Sequence, residues 1–344
     1  MDYNRIARPT ARAAAQRMAL AGAWVLGLLL AVASCIGPAA AQQRMARVGW
    51  LTSQPGGRYE ELTVRGFVAG LREAGFVEGS NLEFVMRSAD GDLSRLGPLA
   101  KQIAAARVDV IFAPAKPMAD AAGCASRRIP TVIVTDPARV DYAVSLARPG
   151  KHITGVTTAN AELIGKRLQL LTDMVSGIKR VGTFIDPALL DSCSEEVELM
   201  ERSAKALGLS LVRIDVCSGK DIDIQAAMQR AVAAQLQVVV GAPMTSNQDI
   251  TDHLAEQAAL QRMPFVHDVP QRAGDALAVY GPDFEDIYRR AGHYVARILK
   301  GEKPADMAIE EPRRFRLIVN ARTARQLGIV LPPAVLLRAD EVIQ

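Results

Sequence analysis

The sequence lacks the short motifs of the commonest cofactor and nucleophile chemistries. It holds no G-x-G-x-x-G after a predicted strand, no G-x-x-x-x-G-K-[ST], no G-x-S-x-G and no H-E-x-x-H. That removes the motif support for a dinucleotide site, a phosphate-cradling loop, a hydrolase elbow or a zinc protease. Histidines are few and scattered, at 152, 253, 267 and 293, without metal-ligand spacing. A catalytic triad converges only in three dimensions, but no residue pattern points to one. No cofactor and no metal is expected, and the chain reads as a binder rather than an enzyme.

Long apolar runs are scarce too. Met18 to Ala33 is the one candidate, and at about 16 residues it is short of the roughly 20 that a spanning helix needs. Arg5, Arg8, Arg12 and Arg17 precede it, and Ala39-Ala40-Ala41 before Gln42 forms an A-x-A cleavage pattern. Residues 1–41 therefore read as an export signal, which implies a periplasmic location. Val32-Ala33-Ser34-Cys35 resembles a lipobox, so a lipid anchor at Cys35 is the alternative to cleavage after Ala41. Four arginines and Asp2 lie within the leader, so the formal charge of +4 falls to about +1 without it, and nucleic acid loses its main support as a partner.

Only three cysteines follow the leader, at 124, 193 and 217, with no C-x-x-C pair. An oxidising compartment permits a disulfide between Cys193 and Cys217, each placed near a predicted strand end. Cys124 is predicted on a helix and buried.

What is present is an alternation of strands and helices. Arg47 to Leu51, Leu82 to Met86, Val108 to Ala113 and Thr131 to Val134 read as strands, separated by helices over about 59–74, 93–106 and from Pro114–Pro117 to Ser126. Val64, Phe67, Val68 and Leu71 recur at helical spacing, and Gly75 closes that helix. The rhythm restarts after residue 157. Helices over 162–175, 195–207, 222–234 and 247–261 alternate with strands over 180–185, 210–216, 238–240 and 264–266. Ala276 to Tyr280 is extended and halts at Gly281-Pro282, Asp283 caps a helix ending before Gly301, and Phe315 to Val319 is the one clear strand of the tail. This is an α/β chain of roughly 300 residues beyond the leader, enough for two lobes. The segment 129–157 reads as a crossing between them.

The polar turns at the strand ends carry the functional reading, because open parallel sheets bind ligands at their C-terminal edges. The turn Pro114-Ala115-Lys116 sets backbone N–H groups at a helix start, which suits a carboxylate. Thr52 and Ser53 offer hydroxyls, Asp136 (after Thr135) or Asp268 could accept from an ammonium, and Trp50, Tyr59 and Tyr280 are candidate apolar walls, although Trp50 alternates with Val48 as a core residue would.

These residues also carry a family resemblance. Pro312-Arg-Arg-Phe-Arg-Leu-Ile-Val-Asn-Ala-Arg-Thr-Ala-Arg-Gln-Leu-Gly-Ile-Val-Leu-Pro-Pro333, Ser145-Leu-Ala-Arg-Pro-Gly150, Gly165-Lys-Arg-Leu168 and Tyr280-Gly-Pro-Asp283 together resemble the substrate-binding proteins of bacterial ABC transporters related to tryptophan/tyrosine uptake. The resemblance runs from Arg47 to the C-terminus. It implies a type I periplasmic-binding-protein fold, two Rossmann-like lobes joined by a three-segment hinge. It divides the chain into residues 42–156 with 282–312, and 157–281 with 313–344. It also implies capture of a small-molecule ligand by cleft closure, with delivery to an ABC permease in the inner membrane driven by a cytoplasmic ATPase, the protein itself acting as a monomer. Carried over by position, the second-lobe cleft turns fall at Asp186 and His267. Gly241-Ala242-Pro243 and Gly274-Asp275-Ala276 depart from the family pattern at places expected near the cleft, so the resemblance does not by itself imply the aromatic-amino-acid specificity of some relatives. A ligand-sensing partner of a membrane receptor and a secreted α/β enzyme using the same cleft are the alternatives.

Overall fold

The computed structural model describes residues 44–53, 58–135, 144–185, 187, 190–216, 224–241, 248–270 and 273–344. The export signal, Cys35, Asp136, Asp186 and Cys217 lie outside them, as does the side chain of Cys193, and with these the proposed disulfide.

The first sheet holds β1 (Ala46–Thr52), β2 (Leu82–Ser88), β3 (Val110–Pro114), β4 (Thr131–Val134) and β5 (Ile153–Val156), in the order β2-β1-β3-β4-β5. All of its pairs are parallel. β3, β4 and β5 are short runs rich in β-branched residues and buried throughout, as a doubly covered parallel sheet demands. Val48, Trp50, Val110 and Phe112 point to one face; Leu51, Ile111 and Ala113 point to the other. The first face is covered by α1 (Arg58–Glu73) and the second by α2 (Leu96–Ala105) and α3 (Lys116–Ala125).

The second sheet holds β6 (Arg180–Ile185), β7 (Ser210–Asp215), β8 (Val238–Val240), β9 (Phe265–His267), β10 (Ala278–Pro282), β11 (Phe315–Asn320) and β12 (Glu341–Ile343). Its order is β12-β11-β10-β9-β8-β6-β7, so β7-β6-β8-β9-β10 repeats the winding of the first sheet. Only the β10–β11 pair is antiparallel. One face packs on α4 (Asn160–Met174) and α5 (Leu190–Ala206), the other on α6 (Ile224–Ala233) and α7 (Gln248–Leu260).

The long helix α8 (Phe284–Leu299) follows β10 of the second sheet but covers the first, burying Ile287, Ala291, Tyr294 and Val295 in the cluster that holds Trp50. Asp283 caps it, its carboxylate accepting from the Asp286 N–H at 3.2 Å. α8 lies unusually close to α1. A Cβ on Gly70 would sit 1.9 Å from the Arg289 carbonyl oxygen, and one on Gly292 would sit 2.3 Å from that of Phe67.

The tail holds more than the sequence pattern suggests. Beyond α9 (Ala321–Leu327), the short helix α10 (Pro333–Arg338) and β12 complete the second lobe. β10 also runs on through Gly281-Pro282, where the sequence predicts a halt. Pro282 is accommodated as the last residue of the strand, where its missing N–H costs the ladder least.

Candidate functional site

Three crossings join the sheets, and each runs from or to a C-terminal strand edge. Val156 of β5 leads through Thr157 to α4, Pro282 of β10 leads through Asp283 to α8, and residues 310–314 return the chain to Phe315, which pairs with Pro282. The crossings are tied to one another. Glu310 N–H donates to Gly155 O at 3.1 Å, Thr157 N–H to Glu310 O at 2.8 Å, and Asp283 N–H to Arg314 O at 3.0 Å. The C-terminal edges of both sheets therefore meet along one boundary. α1 and α7 touch across it, and Val269, just past β9, is buried within the first lobe's core.

Thr52 ends β1, Ser53 follows it, and Pro114 ends β3. β1 and β3 are the neighbours at which the strand order reverses, the usual place for a ligand in an open α/β sheet. Ala115, at φ 66 and ψ 158, turns the chain sharply into α3. No side chain caps that helix, and Pro117 stands in its first turn. The Ala115 N–H itself is taken by Val134 O at 2.9 Å. Lys116 turns along its own helix to Asp120, Nζ to Oδ2 2.7 Å. Thr135 follows β4, largely buried, its N–H bonded to Val156 O.

On the second lobe, His267 ends β9 and Asp268 follows it; both are buried. The His267 ring stacks on Phe265 at 5.5 Å, and Nδ1 accepts the Val269 N–H at 3.2 Å, which puts the neutral ring's proton on Nε2. Asp268 lies against β10: a Cβ on Gly281 would come 1.7 Å from its carbonyl oxygen. Tyr280 is half-buried against the second-lobe core. Its carbonyl accepts from Arg167 Nε at 2.8 Å.

Arg167 is the residue that sequence reading missed. It is 0% exposed, the largest fully buried side chain among the described residues. The signal was positional: it stands three residues after Ile164 and four before Leu171 on α4, within the apolar face.

Of the two readings that the sequence leaves for Trp50, the structure shows core, its ring edge-on to Phe67, Phe84 and Phe112 at 4.9, 5.8 and 5.2 Å. Two other expectations are corrected. Cys124 lies on α3 as predicted but is exposed, because it falls on the helix face away from Met118 and Ala122. Gly274-Asp275-Ala276 lies not beside the cleft but at the opposite edge of the sheet. Because β10 is parallel to β9, the chain must return to that edge first, and Gly274 O accepts there from Asn320 Nδ2 at 3.0 Å.

The pattern of the family of ABC transporter substrate binding proteins matches residues 56–343. The chain belongs to that family. A tyrosine-binding protein of Clostridioides difficile is 23% identical over 268 residues, 77% of this chain and 76% of the relative. Among solved structures, a conserved domain protein from Vibrio cholerae superposes with a TM-score of 0.79 at 28% identity, over 87% of this chain and all of that one. A Streptococcus pneumoniae ABC domain in complex with L-Trp superposes at 0.77 and 22% identity, over 87% and 99% of the two chains. The fold is that of type I periplasmic binding proteins, and the family binds solutes rather than transforming them. Among the described residues no helix is long and apolar enough to cross a membrane.

Proposed function

We propose that the protein captures a small organic solute, an amino acid or an aromatic compound, between its two lobes in the periplasm. It then hands the solute to an inner-membrane permease driven by a cytoplasmic ATPase. The observation that carries this reading is the meeting of three chain crossings along the C-terminal edges of two sheets that share one five-strand parallel winding, in a chain of a substrate-binding family. A ligand touching both edges stabilises the shut arrangement over the open one and so shifts an existing equilibrium.

Within the cleft, the uncapped start of α3 would face the solute's carboxylate, with Thr52, Ser53 and Thr135 adding hydroxyl donors. Asp136, Asp186 and Asp268 would accept from its ammonium, and Tyr280 and His267 would wall the side chain. The lobes would be residues 42–156 with 282–312 and 157–281 with 313–344, after loss of residues 1–41. Binding of tyrosine or L-Trp by relatives makes amino acids the first compounds to try.

A thermal-shift screen of the twenty amino acids and a panel of aromatic acids tests this. A bound solute raises the melting temperature as it saturates, by an amount equivalent to about 2.7 kcal/mol at a hundredfold excess over Kd. A screen in which no small solute shifts the melt, on protein first unfolded and refolded to strip any carried ligand, overturns the reading.

A further inference from the structure

α8 has a second face. Asp286, Arg289, Arg290, His293 and Arg297 follow one another at helical spacing on the side away from the first-lobe core. They form one wall of a cavity of about 480 Å³. The other wall is the third crossing, with Glu310, Arg313 and Arg314. Five guanidinium groups thus surround one volume with only two carboxylates in its lining.

Those two carboxylates do not satisfy the five cations. Glu310 is shared, bonded to Arg290 and standing 3.2 Å from Arg313. Asp286 is 2.7 Å from Arg289. Beyond the lining, Glu302 takes Arg297 at 2.6 Å, and Glu73 takes His293 at 2.8 Å and more loosely Arg289 at 3.4 Å. Arg314 is paired with no carboxylate among the described residues, and the Arg313 side chain is 73% exposed. Arg290 is fixed and largely buried, with Nη1 on the Glu311 carbonyl at 2.9 Å. Arg290 is thus held in place, and with Glu302 and Glu73 counted the five guanidiniums meet four carboxylates, which leaves a net positive charge carried by Arg314. A guanidinium presents a planar fork that matches the paired oxygens of a phosphate or carboxylate, and partial burial strengthens that attraction over its value in water.

We propose that this cavity binds a small multivalent oxyanion, gripped by Arg313 and Arg314 from the crossing and by the arginines of α8. None of its lining residues is among those assigned to the interlobe solute site, and the proposal does not rest on that site. The test follows melting of the full exported chain while inorganic phosphate replaces chloride at constant ionic strength. Citrate is the second probe, and Arg322→Gln is the control matched in charge to Arg314→Gln.

A saturable rise is expected in the native chain, about 3 °C at tenfold excess over half-saturation. Arg322→Gln should keep it. The double substitution Arg313→Gln with Arg314→Gln should abolish it, and Arg314→Gln alone should raise the half-saturating concentration at least about fivefold. No saturable rise in the native chain, or an equal rise in the double variant, overturns the proposal. Amino-acid binding measured on the same variants is expected to persist, which separates a failure here from a failure of the solute-binding reading.

Discussion

Arg167 donates to the Tyr280 carbonyl from a fully buried position, so its removal should be felt at once. Arg167→Met keeps much of the side-chain volume but leaves that acceptor without its donor, a loss of about 1–3 kcal/mol. Urea denaturation should show a lower midpoint of about that size, whereas Arg322→Gln, an exposed ion pair, should stay within about 0.5 kcal/mol of the native chain. A second residue-scale prediction concerns pH. Burial pushes the Glu310 carboxyl up, but the Arg290 guanidinium bonded to it, the Tyr294 hydroxyl and the Arg313 charge together hold it below the ordinary carboxylate range. A lowered folded-state pKa adds stability above the unfolded value of about 4.3, and that stability is lost as pH falls through the folded value. Between pH 7 and pH 3 the native chain should therefore lose more stability than Glu310→Gln does. Equal losses would mean that the pair contributes nothing. The exposed Cys124 thiol should react with a maleimide under native conditions, and Cys124→Ser should remove that labelled site; peptide mapping reads both.

At the scale of elements, the contact between α1 and α8 depends on the absence of side chains where the two backbones meet. Gly70→Ala would drive a methyl group to within 1.9 Å of a backbone oxygen, which no rotamer change can relieve. A loss of about 1–3 kcal/mol in denaturant unfolding is expected, against a gain of up to about 1 kcal/mol for Gly97→Ala, inside α2, where nothing stands in the way. The elements also mark how far the sequence could be read. Strands such as Thr131–Val134, Arg180–Ile185 and Val238–Val240 are legible to the residue, because buried parallel strands are compact apolar runs between Gly, Pro and polar turns. β12 and α10 escaped because three and six residues carry too little periodicity, and their order comes from pairing and packing with distant partners, β11 and α4. The position of Gly274 escaped for a related reason: which end of a strand a loop occupies depends on the direction of pairing, not on composition. Arg167 broke the rule that a buried face is apolar, and an exception of that kind is visible only once its partner is placed.

On the scale of the whole molecule, the winding β2-β1-β3-β4-β5 recurs as β7-β6-β8-β9-β10 without any sequence repeat. Each sheet thereby has its reversal point on the edge where the crossings run. The strand ends that carry Thr52, Ser53, Pro114, His267 and Asp268 were legible because polar turns interrupt apolar runs there. How the side chains beside these ends are engaged was not: Lys116 turns to Asp120, and His267 takes the Val269 N–H. What the two edges share is backbone: Gly155, Glu310, Asp283 and Arg314 link the crossings by main-chain bonds. Hinge motion about such a bundle moves two intact sheets rather than deforming either. Small-angle X-ray scattering of the protein, alone and saturated with the amino acid that most raises its melting temperature, tests this most directly. The account predicts a smaller radius of gyration in the saturated sample; superimposable profiles at proven saturation would contradict it.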